Sequence, residues 1–185
     1  MNHYFDLFEG CKKGDAKAQR NLYDVSKAKL LGICRRYTSS RDEAKDVLQD
    51  TFIKIFAKIH HVEAAEKLEA WMKSIAVRTA IDFYHQKKAD QLVFSQWSAT
   101  EMGEVVDLSI KDFTDEYLVT LINQLPTGCR LVFNLFIIEG YSHTEIAEML
   151  TITEGTSRSQ LHYAKCLLKQ KFKIEMKISP YEKFA

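Results

Sequence analysis

The chain has 185 residues, 46% hydrophobic and 28% charged, and 26 basic against 25 acidic side chains leave a net charge of +1. That length suits one ordinary domain or two small ones, and the even balance weighs against a general nucleic-acid coat protein, so where the charges fall matters more than their sum. No apolar run approaches a membrane span, and Cys11, Cys34, Cys129 and Cys166 form no C-x-x-C pair, so they read as reduced thiols of a cytosolic protein.

Only two prolines interrupt long periodic stretches, which predicts an all-helical fold. Residues Tyr4 to Cys11 make a short amphipathic start. Gly14 and Asp15 then punctuate the chain and cap a long helix to about Tyr37, with Leu22, Tyr23, Leu30, Leu31, Cys34 and Tyr37 at helical spacing. After a polar break, Glu43 to Ile59 carries the most regular pattern in the sequence. Ala44, Val47, Leu48, Phe52, Ile55, Phe56 and Ile59 define a core face. The opposite face carries Asp46, Gln49, Asp50 and Ile53 at i, i+3, i+4 and i+7. Acids there fit a solvated face, but a β-branched apolar residue in their midst looks more like a docking surface for a basic helix.

His60 to Leu68 is a polar connection, followed by a helix from Glu69 to Lys88. Trp71, Ile75 and Phe83 are expected inside. Lys73, Arg78, Lys87 and Lys88 against Asp82 leave +3 between Trp71 and Lys88. Basic residues interleaved with Tyr84 and His85 suit a surface that tracks phosphates and stacks bases. From Ala89 to Asp112 periodicity fails and the charge reverses to −4, the composition of a tether. Helical spacing returns from Phe113 to Leu125, stops at Pro126, and resumes over about Gly128 to Ile138.

The last periodic stretch, Gly140 to Lys173, reads as two helices joined by a tight turn. Ser142 and Glu145 have the form of a capping box, Ile146, Met149 and Leu150 give the first helix a buried face, and Thr153 can cap the second. In that second helix Leu161, Ala164, Leu168 and Phe172 form the inward stripe, while Arg158, Lys165, Lys169, Lys171 and Lys173 carry +5 with no acid between Gly155 and Lys173. A short helix, a turn and a longer basic helix is the helix-turn-helix arrangement, whose second helix enters the major groove. An ordinary helical hairpin with a solvated basic end is the plainer alternative.

Catalytic and metal motifs are absent from the sequence. Neither phosphate-cradling glycine loop occurs. His143 does not complete a zinc-protease helix, and His162 with Cys166 supplies only two of the ligands a metal site needs. No enzyme activity, cofactor or metal is expected.

Three segments in order carry a family resemblance: RDEAKDVLQDTFIKIF, AWMKSIAVRTAIDFYHQKK, and INQLPTGCRLVFNLFIIEGYSHTEIAEMLTITEGTSRSQLHYAKCLL. Over about Leu22 to Leu168 the chain resembles the extracytoplasmic-function (ECF) group of bacterial sigma factors. The resemblance implies a cytoplasmic subunit that binds core RNA polymerase and directs promoter recognition and opening. It implies an N-terminal domain over 1–90, an acidic linker over 91–112, a helix-turn-helix domain over 113–175 and a tail over 176–185. Asp46, Gln49, Asp50 and Ile53 would dock the clamp helices of the polymerase. Lys73, Arg78, Thr79, Asp82, Tyr84, Lys87 and Lys88 would hold the single-stranded minus-ten element. Thr156, Arg158, Ser159, Gln160, His162 and Lys165 would read the minus-thirty-five duplex. Many relatives carry basic residues where this chain has Gln160 and Tyr163, and Asn is common where Thr79 or Ala80 stands. Gln can read adenine bidentately, so Gln160 implies a shifted preference. Family members are commonly held inactive by a membrane-tied anti-sigma factor, which makes such a protein a candidate partner, with no membrane insertion by this chain itself. Two other readings stand beside this one: a free-standing helix-turn-helix regulator that binds duplex DNA as a dimer, and a helical adaptor whose basic surfaces meet acidic proteins.

Overall fold

The computed structural model describes residues 2–91 and 120–178; all but the first residue of the tether expected over 91–112, the helix onset at Phe113 and most of the tail lie outside them. The chain divides into two compact units, Met1–Val93 and Phe94–Ala185. Every described regular element is helical.

The first unit contains α1 (Asn2–Lys12), α2 (Ala16–Tyr37), α3 (Arg41–Lys58) and α4 (Leu68–Gln91). Each start is set by local chemistry. Asp15 accepts hydrogen bonds from the Lys17 and Ala18 amides to begin α2, and Ser40 Oγ accepts from the Glu43 amide at 3.1 Å to begin α3. These side-chain oxygens satisfy amides that have no partner inside the helix. Gly14, with φ +77°, turns α1 back towards α2, and a Cβ on Gly10 would stand 2.6 Å from the Ala18 Cβ, so only glycine permits that close approach.

The α3 face read from the sequence is the core face: Ala44, Val47, Leu48, Phe52 and Ile55 are buried, Ile59 follows just past the helix end, and Phe56 is half-buried. Tyr23 of α2 lays its ring 4.6 Å from Phe52, centroid to centroid, and closes that edge. In α4 the expected inward residues differ. Trp71, Ile75 and Phe83 are half-buried, while Leu68, Met72, Ala76, Val77, Ala80 and Ile81 are buried. The reason is that α4 packs against both α2 and α3. A helix with two neighbours buries a wide arc, and small residues such as Ala76 and Ala80 bring the backbones close while large ones flank the contact. Each fully buried Leu, Ile or Phe side chain contributes roughly 1.5–3 kcal/mol to holding this bundle.

In the second unit, residues 120–123 are helical, followed by α5 (Thr127–Phe133), a π-helical turn (Asn134–Ile138), α6 (His143–Leu150) and α7 (Glu154–Ile178). The single helix expected over Gly128 to Ile138 is thus broken in character. The Glu139 amide donates five residues back to the Asn134 carbonyl at 3.0 Å, which widens the last turn. The capping box is reciprocal: the Glu145 amide donates to Ser142 Oγ at 3.2 Å, and the Ser142 amide donates to Glu145 Oε2 at 2.8 Å. Thr151 closes α6 with φ 53°, a left-handed conformation unusual for a β-branched residue, and this sharp reversal sets α7 across α6. Leu161, Ala164 and Leu168 face inward as expected, with Ser157 buried beside them; the Phe172 side chain lies outside the described ones.

Candidate partner and nucleic-acid surfaces

Three exposed surfaces follow from these elements. The first is the outer face of α3. Because Ala44, Val47, Leu48 and Phe52 point inward, helical geometry forces Asp46, Gln49, Asp50 and Ile53 outward, and all four are exposed. Ile53 is 67% exposed, the most exposed large apolar side chain among the described residues. An apolar knob ringed by acids gives shape and charge selectivity at once.

The second surface is α4. Its candidate residues do not form one patch. Lys73, Tyr84 and Lys88 fall within about 60° of one another around the helix axis. Arg78 and Asp82, spaced i and i+4, occupy another side. Thr79 lies between them in the buried arc at 3% exposure, with no hydrogen-bond partner for its Oγ1. Thr79 therefore cannot touch a strand lying on this helix. It belongs to the packing of α4 on its neighbours.

The charges of α4 are also paired selectively. Lys54 on α3 donates to Asp82 at 2.8 Å, and Lys87 donates to Glu43 of α3 at 2.5 Å. Lys73 sits 3.4 Å from Glu69, which also receives Lys29 of α2. Arg78 is exposed, and Lys88 stands 5.9 Å over the Tyr84 ring; among the described residues neither has an acidic partner. Burial works against the charged form of Glu43, but Lys87 and the Ser39 and Ser40 amides outweigh it and hold the carboxyl below its ordinary range.

The third surface is the start of α7. Thr153 Oγ1 accepts from the Thr156 amide at 3.0 Å and shares a 2.9 Å hydrogen bond with the Thr156 hydroxyl. Arg158 is exposed and pairs with Glu154 at 3.2 Å, one turn back, and Ser159 is exposed with its hydroxyl donating to the Thr156 carbonyl at 3.0 Å. His162 and Lys165 are half-buried. Gln160 points differently from the expectation. Its amide lies against Gly128 of α5, where a Cβ would meet Nε2 at 2.9 Å, and its Oε1 is buried with no partner. In this conformation Gln160 packs inside the unit and does not present its amide to a base.

Sequence reasoning missed the residues that brace α7. His143 Nδ1 and the buried Ser157 Oγ share a hydrogen bond of 2.8 Å, and the Phe136 ring stacks on the imidazole at 4.4 Å. Thr144 donates to Glu154 at 2.8 Å. Partial burial, with Arg158 and Lys165 nearby, lowers the His143 pKa below 6.5 despite the opposing pull of Glu154. These partners are ten to fourteen residues apart, a separation with no local sequence signal.

A four-helix unit exposing an acidic-apolar face beside a basic helix, followed by a helix-turn-helix unit, matches what the resemblance implies for a promoter-specificity factor. Comparison bears this out: Sigma-70 region 2 matches residues 22–89, and Sigma-70 region 4 matches residues 115–166. Over 173 residues the chain is 28% identical to the ECF RNA polymerase sigma factor SigW of Bacillus subtilis, covering 88% of this chain and 92% of that protein. It is 26% identical to the ECF sigma-E factor of Haemophilus influenzae, covering 89% and 93%. A solved structure of the sigma factor RpoE with the anti-sigma factor NepR from Bartonella quintana aligns with 22% identity and a TM-score of 0.49, covering 84% of this chain and 96% of that one. The chain belongs to the ECF group of RNA polymerase sigma factors. It is a transcription initiation factor that binds core polymerase and directs promoter recognition. Among the described residues no helix is long and apolar enough to cross a membrane, and no cluster of three or more His, Cys, Asp or Glu forms a metal site.

Proposed function

We propose that the work of the factor is divided among the three surfaces. The α3 face of Asp46, Gln49, Asp50 and Ile53 docks the polymerase clamp helices. On α4, Lys73, Arg78, Asp82, Tyr84, Lys87 and Lys88 surround the single-stranded minus-ten element; unstacking a base step is offset by a surface that holds the extruded strand. On α7, Thr156, Arg158, Ser159, His162 and Lys165 meet the minus-thirty-five duplex. Residues 1–90 act as the docking and opening domain, 113–175 as the duplex-reading domain, and 91–112 as the tether between them, with 176–185 a tail. The protein acts in the cytoplasm by binding, with no catalysis of its own, and an anti-sigma protein is a candidate partner.

The observation that carries this reading is Ile53, exposed at 67% on a face whose other members are Asp46, Gln49 and Asp50. A free-standing regulator or an adaptor leaves that face without a task. The test is transcription by bacterial core polymerase on the DNA upstream of the protein's own gene, with Asp50→Lys as the control. The wild-type chain should give a discrete start. Charge reversal at a docking face should weaken core binding at least about a hundredfold, with helicity unchanged. Core binding undiminished by Asp50→Lys would remove α3 from the interface.

A further inference from the structure

Glu43 does two things at once. Its Oε2 accepts from the Ser39 amide at 2.8 Å at the start of α3, and its Oε1 accepts from Lys87 at 2.5 Å, 44 residues away on α4. The first contact belongs to the helix end. The second ties up a cation on the surface assigned to DNA. The partners are unequal: the Glu43 side chain is 22% exposed and the Lys87 side chain 40%. Glu43 is pinned in the first turn of α3, where the helix dipole and the Ser39 amide stabilise its charge without any lysine. Lys87 sits on a flexible four-carbon arm. If the pair opens, Lys87 swings away and the carboxylate stays satisfied, so opening leaves no orphaned buried charge.

We infer that Glu43 restrains the minus-ten surface: its carboxylate occupies Lys87, and a DNA phosphate must displace it before Lys87 can hold the strand. The inference rests on the assignment of α4 to single-stranded DNA. A neighbouring pair of opposite polarity follows the same logic, since Lys54 of α3 covers Asp82, which would otherwise repel phosphate. α3 thus sets the charge that α4 presents, by withholding one cation and neutralising one anion. Glu43, Asp50 and Lys54 (i, i+7, i+11) also lie along one side of α3, so both pairs border the docking face. The restraint keeps affinity for arbitrary single strands low, and a strand held in place by other contacts recruits Lys87 last.

The test uses the full chain assembled with core polymerase and a mixed-sequence single-stranded 20-mer, with affinity measured against salt. Glu43→Gln keeps the acceptor for the Ser39 amide and removes the charge. It should raise affinity about two- to fivefold at low salt, the scale of a half-exposed ion pair, and steepen the log–log salt slope by about 0.7, one single-strand phosphate. In a Lys87→Ala background the same change should leave the slope unaltered. If Lys87→Ala weakens binding while Glu43→Gln does not strengthen it, the restraint is wrong and the DNA assignment survives. If Lys87→Ala also has no effect, the assignment of Lys87 to the strand fails and the inference falls with it.

Discussion

The two basic helices, α4 and α7, are held by different forces. α4 is gripped from the side: two neighbours bury a wide arc of it, and ion pairs from α3 reach its flanks at Asp82 and Lys87. α7 is braced near its start by hydrogen bonds from the turn and α6, through Thr153, His143–Ser157 and Thr144–Glu154. Charge on α4 is set by tertiary contact. On α7, Arg158 pairs within its own helix. On the proposed assignment, the helix that captures a melted strand has charges paired by another element, whereas the helix that enters the duplex groove is fixed in orientation.

Removing packing should separate the two regions most strongly. Ile146 is fully buried in α6 and Met72 is nearly so in α4. Truncating either to alanine should cost about 2–5 kcal/mol. Hydrogen exchange should show Ile146→Ala exposing α6 and α7 amides and Met72→Ala exposing α4 amides. Loss of protection in the other unit in each case would contradict separate bracing.

pH should divide the units next. The His143 pKa is lowered from 6.5, so the folded state favours the neutral ring and the unfolded state binds more protons. Its contribution is therefore present above pH 6.5 and lost as pH falls through the lower folded value. The α3–α4 link depends on Glu43, whose pKa is lowered from 4.5, so that contribution persists until pH falls below 4.5. Melting followed between pH 7.5 and 5 should weaken the helix-turn-helix unit first. His143→Asn, which can still hydrogen-bond Ser157, should flatten that dependence. An unchanged pH profile in His143→Asn would place the titration elsewhere.

The smallest effect is expected at Thr79. Its buried hydroxyl has no partner, so Thr79→Val should change stability by less than about 1 kcal/mol, in either direction, and leave single-strand affinity as it was. A drop in affinity with stability intact would return Thr79 to the DNA surface.

The core face of α3 and the exposure of Asp46, Gln49, Asp50 and Ile53 are legible in the sequence because one helix with one buried side obeys a single period. The capping residues Asp15, Ser40 and Ser142 reflect equally local chemistry, although the sequence pattern points only to Asp15 and Ser142. The burial of α4 was not legible, since two packing partners superimpose two stripes and push Trp71 and Phe83 to the flanks. The resemblance implies Gln160 as a base contact because it lies on the recognition helix. The approach of Gly128 draws it inward instead.

Sequence alone determined the all-helical class, the order of the surfaces and the family, because periodicity, caps and charge runs are properties of neighbours along the chain. Tertiary structure decided which charges are available. It paired Lys87 with Glu43 and Asp82 with Lys54, buried Thr79, turned Gln160 away and set His143 on Ser157. Each of these depends on residues distant in sequence meeting within a few ångströms, and an ion pair or hydrogen bond has no energy until that separation closes.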